Sequence, residues 1–337
     1  MLLCLAVGCD ATPAPNARPA PPIPKRQAKP LSALEARRIV EDVNRRLDAD
    51  GKDAAFWHTA AEGPWLDLLL AKVENTAKHG DKAPPAPTNT PEVSPGVEVW
   101  PASSNAPGDR WILGSFETSS WTISSEGVKK PKTATPTWTL YHQQGEGPWR
   151  QTFQVHVSAG SGVPRPAVGN DGQAVTGGDT TKLAVPPSSV CGHMADYVAG
   201  TNDAQTRKSR WSKEITADRA EFAGIEQSLR ERLGAKSVDV TSTTVRTPHG
   251  PVWRTADGSA LVACVTVNQT AIDMGPGRYS VFPTSGWSGT TGIRWTSYTQ
   301  SLMVMNVLKI PAGHGEVSVA AKSAWPYKFD GKRHTGR

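Results

Sequence analysis

The chain has 337 residues, a net charge of +6, and a composition that is 37% hydrophobic and 20% charged. That length suits about two domains, each with its own core. So small a basic excess, scattered among acidic residues, supports solubility with some attraction to anionic lipid headgroups or cell-wall polymers. No apolar run approaches the ~20 residues that span a bilayer, and no zinc-finger spacing, RNP-like strand or long basic helix points to a nucleic-acid partner.

The first informative stretch is Leu5-Ala6-Val7-Gly8-Cys9-Asp10, where a short apolar run ends at small residues and a cysteine. A Pro/Ala-rich polar segment follows at once. The pattern resembles the tail of a bacterial lipoprotein signal, in which the cysteine takes lipid and becomes the first mature residue. The resemblance implies a truncated signal over residues 1–9, lipidation at Cys9, and an extracytoplasmic protein lipid-anchored to the cell membrane. Only Met1 to Gly8 precede the cysteine, without a basic region, so a start codon placed too late and an accidental match both stay open. Residues 10–31 read as an extended, PPII-like spacer.

Ordered structure is expected from Ser32, which with Glu35 fits a capping box. Leu34, Ile39, Val40, Val43 and Leu47 then recur at helical spacing up to Gly51. A second helix is expected from Gly63-Pro64 to Gly80, and a Pro-rich loop over residues 82–95. Strands are expected at 97–101, 110–118, 137–143 and 150–158, the last two joined by a turn at Gly145–Pro148. These elements make a first α+β unit over 32–159, followed by a Gly/Pro-rich linker over 160–187.

The second half repeats the order over 188–329, with helices at 188–199 and from an N-cap at Thr216 to Gly234. Strands are expected at 238–244, 252–255, 260–268, 294–310 and 316–322, and residues 330–337 read as a basic tail. Val99-Trp100 matches Val252-Trp253, and Trp138-Thr139-Leu140-Tyr141 matches Trp295-Thr296-Ser297-Tyr298, in the same order. Two matches in register argue for a diverged tandem pair. Helices feeding a curved antiparallel sheet resemble the NTF2-like (cystatin-like) fold. With the Cys9 motif and spacer, the chain resembles uncharacterised tandem-domain lipoproteins of actinobacteria. That resemblance implies an α+β fold of two NTF2-like units but no particular function, since the fold serves enzymes, pockets and scaffolds alike.

Cys4 and Cys9 belong to the signal-like segment, which leaves Cys191 and Cys264, 73 residues apart. In an exported protein they are either a disulfide or two buried thiols. The eight histidines form no metal-ligand ladder, and neither a nucleophile elbow nor a phosphate-binding glycine loop occurs. His142 and His156 share one expected hairpin, and their ordinary role there is to be satisfied at the sheet surface. His193 and Asp196 share a helix face and form the best acid–base candidate, against the plainer alternative of an exposed polar face. With no cofactor implied, the expectation is a non-catalytic binding or scaffolding protein of the envelope. Its partner would be a cell-wall polymer or an envelope protein.

Tryptophan is the compositional excess, with twelve residues. Most fall on expected helices and strands and belong to the cores. Trp121, Trp149, Trp287 and Trp325 lie in or beside loops, where they either stack on ligands or cap the sheets. Trp149, Trp287 and Tyr279, the last in the Gly-rich insertion 275–292, are the candidate ligand-binding residues.

Overall fold

The computed structural model describes residues 30–49, 54–79, 97–102, 108–118, 121–123, 129–131, 135–157, 162, 164–201, 209–281 and 292–335. The protein is α+β, with antiparallel sheets. Helix α1 (Ala33–Ala49) opens on the expected capping box. The Ser32 N–H donates to Glu35 Oε2 (2.8 Å) and the Glu35 N–H to Ser32 Oγ (3.2 Å), which satisfies two backbone donors that the helix itself cannot. Helix α2 (Ala54–Ala60) is too short to show a period in sequence, and α3 (Gly63–His79) starts at Gly63-Pro64.

The strands β1 (Glu98–Pro101), β2 (Asp109–Thr118), β5 (Thr135–Gln144) and β6 (Arg150–His156) form a sheet in the order β1-β2-β5-β6. Between β2 and β5, a separate ribbon pairs β3 (Trp121–Ile123) with β4 (Lys129–Pro131). The second half supplies α4 (Pro187–Ala199), α5 (Lys213–Leu233), β7 (Ser237–Arg254), β8 (Ala260–Asp273), β9 (Ser280–Val281), β10 (Arg294–Ile310) and β11 (Ser318–Arg333). Its sheet runs β11-β10-β8-β7, with β9 attached to β10.

Several boundaries differ from the sequence reading. The strands expected at 238–244 and 252–255 are one strand, β7, whose register against β8 shifts between Thr244 and Trp253. Such bulges break the period-2 signal and make one strand read as two. Gly250 lies in this stretch at φ +77°, and the Trp111 ring comes within 3.1 Å of where a Cβ would stand, so only glycine fits. Helix α5 is N-capped at Ser212, four residues before Thr216, whose hydroxyl donates back to the Ser212 carbonyl (3.0 Å). Strand β11 continues to Arg333, so the first half of the expected basic tail, residues 330–333, is strand.

The two sheets pack face to face and share one core. Trp138, Leu140, Phe153 and Val155 of the first meet Leu261, Val265, Met303 and Met305 of the second, all fully buried. Helix α1 covers the outer face of the first sheet, where Val40 and Val43 meet Ile112 and Tyr141. Helices α4 and α5 cover the outer face of the second, where Val190 and Ile215 meet Val262 and Leu308. The order of layers is therefore helix, sheet, sheet, helix. Strand β8 records this in its sequence: Ala260 to Val265 is continuously apolar because both faces are covered there. Beyond Val267 that inner cover ends: of the inner-face positions Gln269 is exposed and Ala271 and Asp273 are half-buried, while Thr270 and Ile272 on the outer face stay buried.

The segment expected as a linker is part of this joint. Residues 164–186 carry backbone bonds to both sheets: Ala174 N–H to the Pro101 carbonyl (2.7 Å), and Arg254 N–H to the Val175 carbonyl (2.9 Å). Side chains protect the sheet edges. On β11 the Asn75 amide acts as a substitute strand, donating to the Tyr327 carbonyl (2.9 Å) and accepting from the Phe329 N–H (3.2 Å). Edge groups left open would invite pairing with another chain.

Candidate functional site

The inner face of the second sheet extends beyond the first as an open polar groove of about 470 Å³ at the far end of the strands. Its floor is set by register. Asp239, Ala271, Thr299 and Asp330 stand in one row across four strands. Ser237, Asp273, Ser297 and Lys332 form the next. Side chains two apart on a strand share a face, so the two rows present hydroxyls, carboxylates and one ammonium to solvent. On the opposite face at this level, Val238, Ile272, Tyr298 and Phe329 pack under the end of α5, which makes the floor rigid. Lys78 of α3 reaches Asp330 (3.0 Å) at one side.

The rim beyond the groove is cationic. Tyr279, 40% exposed, has the Arg294 guanidinium 4.8 Å from its ring centre and the His334 ring at 5.1 Å. The His334 N–H donates to the Arg294 carbonyl (2.8 Å), tying the end of β11 to the start of β10. Arg278 lies against Gly234, the left-handed cap of α5. A guanidinium suits a helix C-terminus.

A second polar cluster lies between α3 and the first sheet. Glu62, at the start of α3, bonds His142 Nδ1 through Oε1 and meets Arg150 Nη1 (3.4 Å) through Oε2. The His142 ring stacks on Trp111, its cross-strand partner, with centres 4.3 Å apart, and its Nε2 lies 3.7 Å from Asp109 Oδ1. Burial works against ionising Glu62, but the hydrogen bonds and charges of His142 and Arg150 outweigh it and hold its pKa below the ordinary carboxylate value. The sign of the stability effect follows from that depression. The folded state binds the Glu62 proton less tightly than the unfolded chain does, so its stabilisation is present above the unfolded pKa of about 4.5 and is lost as pH falls through the folded value. Glu62→Gln should therefore flatten the acid limb of the stability curve. Denaturant midpoints from pH 3 to 7, compared with the parent protein, measure this.

The candidates from sequence separate in this frame. Cys9 and Trp287 lie outside the described residues. Cys191 and Cys264 form a disulfide with Cα atoms 5.4 Å apart, joining α4 to β8, and both are fully buried. Trp149 is no surface platform. It is 8% exposed, packed in the core under α1, with Arg110 over its ring (5.6 Å) and its carbonyl accepting from Arg46 Nη2 (2.9 Å). The tight turn before it aims the ring at the helix and not at solvent. Trp325 is a strand residue of β11, edge-on to Trp65 at 6.0 Å. Tyr279 stands at the groove rim.

His142 and His156 sit at opposite ends of the β5–β6 hairpin, since His142 pairs with Arg150 and His156 with Thr137. Asp196 is engaged by the Thr201 hydroxyl (3.3 Å), and His193 Nδ1 is buried without a hydrogen-bond partner. The groove residues and the Glu62–His142 pair were missed in sequence. The available signal for the groove was the end of the apolar run of β8, where Ala260–Val265 gives way to Asn268, Gln269, Thr270 and Asp273.

The fold and this face define an α+β protein in which two antiparallel sheets are sandwiched between helices, with a polar end of one sheet left open. A family model described as a domain of unknown function (DUF8094) matches residues 31–325, and the chain belongs to that family. The match spans both sheets and the segment between them, in keeping with their common core. No curated protein and no solved structure gives a significant match.

Proposed function

We propose that this chain is an exported, membrane-tethered protein of the cell envelope that acts by binding, without catalysis, through the open face of its second sheet. The observation that carries the export reading is the Cys191–Cys264 disulfide, fully buried between α4 and β8. Structural disulfides persist in oxidising compartments and are rare in the cytosol. The Cys9 motif supplies the tether and residues 10–31 the spacer.

The binding reading is supported by the groove floor, whose hydroxyls and carboxylates are set by strand register. Glu62 and His142, an acid–base pair among the described residues, are packed against Trp111 and span α3 and the first sheet, which favours a structural role. The two halves also repeat an order of helices followed by a four-stranded antiparallel meander. That repetition supports descent from a duplicated NTF2-like unit whose copies have fused their open faces. Fractionation tests the tether: Cys9→Ser should move the protein from the membrane pellet to the soluble fraction. A variant that pellets as the parent does would defeat the tether.

A further inference from the structure

The chain answers its own sheet edges at several places. At β1 the Pro101 carbonyl accepts from the Ala174 N–H (2.7 Å), and the Val97 carbonyl just before it accepts from Arg37 Nη2 (2.8 Å). On β6 the Gln151 carbonyl accepts from the Glu62 N–H (3.0 Å), and the His156 N–H donates to Ser323 Oγ (2.8 Å). Strand β11 is met by the Asn75 amide and, just before its start, by bonds from Val317 to Arg210 (2.8 Å) and from Ser212 to Val317 (2.9 Å). The end of β7 is covered too, through the Arg254 N–H to Val175 (2.9 Å) and the Gly177 N–H to Val252 (2.8 Å). The start of β7 is different. From Ser237 to Thr244 its backbone bonds β8 on one side and, among the described residues, nothing on the other.

This stretch also lacks the devices that keep an open edge from pairing. Its register against β8 runs without a shift from Ser237 to Thr244, and the bulges begin only after Thr244. It contains no proline, lysine or glycine, and its single charge is Asp239. Five of its eight residues, Val238, Val240, Thr241, Thr243 and Thr244, are β-branched and suit a pleated ladder. Val238 and Val240 pack under the end of α5, which holds the strand straight, while Asp239, Thr241 and Thr243 are exposed.

We infer that a second copy of this chain pairs here, antiparallel along residues 238–244 about a twofold axis at Thr241. The sequence is complementary to itself in that register. Thr241 meets its own counterpart, Val240 meets Ser242, Val238 meets Thr244, and the Asp239 carboxylate meets the Thr243 hydroxyl, a donor it can accept from. The two Asp239 side chains end up about 13 Å apart along the strands, beyond the screening length at physiological salt. A twofold uses up both open edges at once and closes the assembly. A foreign strand would need apolar anchors for selectivity, and the exposed side chains here are small hydroxyls and one carboxylate. The two copies would share one continuous sheet, β11-β10-β8-β7 and its mirror order, with both grooves opening on the same side because like faces meet.

The pairing depends on neither the tether nor a ligand in the groove, so it is tested on purified, non-lipidated protein in solution. Sedimentation equilibrium from about 1 to 100 µM should show the mass rising with concentration from 36.0 kDa towards twice that value. Thr241→Lys sets two ammonium groups opposite each other at the axis and should raise the dimer dissociation constant about tenfold or more. The position is exposed, and an unaltered melting temperature in dilute solution confirms an intact fold. Hydrogen exchange supplies the location: amides of residues 238–244 that face away from β8 should exchange more slowly in concentrated than in dilute protein. A monomer throughout that range would overturn the inference. A dimer that Thr241→Lys leaves untouched, or one that forms without protecting these amides, would place the contact elsewhere and overturn it as well. Protection that appears only on adding an unrelated strand-forming peptide would assign the edge to another chain and defeat self-pairing.

Discussion

Replacing Cys191 and Cys264 together by alanine should lower the stability of the folded protein by about 4 kcal/mol. The two cysteines are 73 residues apart, and cross-linking a loop of that length removes roughly that much chain entropy from the unfolded state. Unfolding entropy near 2 cal/mol/K per residue over ~300 residues converts this to a melting point about 6 °C lower. Reductant should act differently from mutation. Both sulfurs are fully buried beneath α4, so thiolate attack requires the structure to open. Dithiothreitol at room temperature should leave the bond intact in native protein and cleave it rapidly in denaturant. Thiol titration follows both states. Rapid reduction of the native protein, or a double variant as stable as the parent, would refute the account.

The second large effect concerns the shared core. Cutting the chain between residues 158 and 163 should give two fragments that do not fold separately. Each would expose the sheet face that the other covers: Trp138, Leu140 and Phe153 on one side, Leu261, Met303 and Met305 on the other. An exposed apolar face of that kind aggregates or stays molten. The intact protein should melt in one transition, with calorimetric and van't Hoff enthalpies in agreement. Trp138→Ala, which empties the middle of the interface, should cost about 3–5 kcal/mol and shift that whole transition. Two resolved transitions, or a well-folded N-terminal fragment, would show instead that the halves are independent.

This is where the sequence misled most. The Gly/Pro-rich run at 160–187 suggests a flexible break between two units, yet residues 164–186 bond to both sheets. Composition reports what a segment favours in isolation. It does not report the edge strands of β1 and β7 that receive the backbone groups of this run. Trp149 misled for a related reason, since its neighbours in sequence are turn residues while its neighbours in space are those of α1. The matched tryptophans diverge too. Trp138 points into the space between the sheets, whereas Trp295 lies under α5, with the register shift beside it on β10 turning its ring to the other face.

What the sequence determined by itself is local. The capping box at Ser32, the helix at Gly63-Pro64, the hairpin turn at Gly145–Pro148 and the apolar strands all follow from residue-level sterics and periodicity, which act within a few residues. It also supplied both partners of the disulfide without choosing between a bond and two thiols. The tertiary structure decided the rest: that two sheets close on one another, that α4 brings Cys191 to Cys264, and that one sheet outruns the other to leave a polar floor. Those facts depend on which faces meet across more than a hundred residues of chain. Apolar burial drives that meeting but carries no address, so only the packed molecule shows where the covered surface stops and the open groove begins.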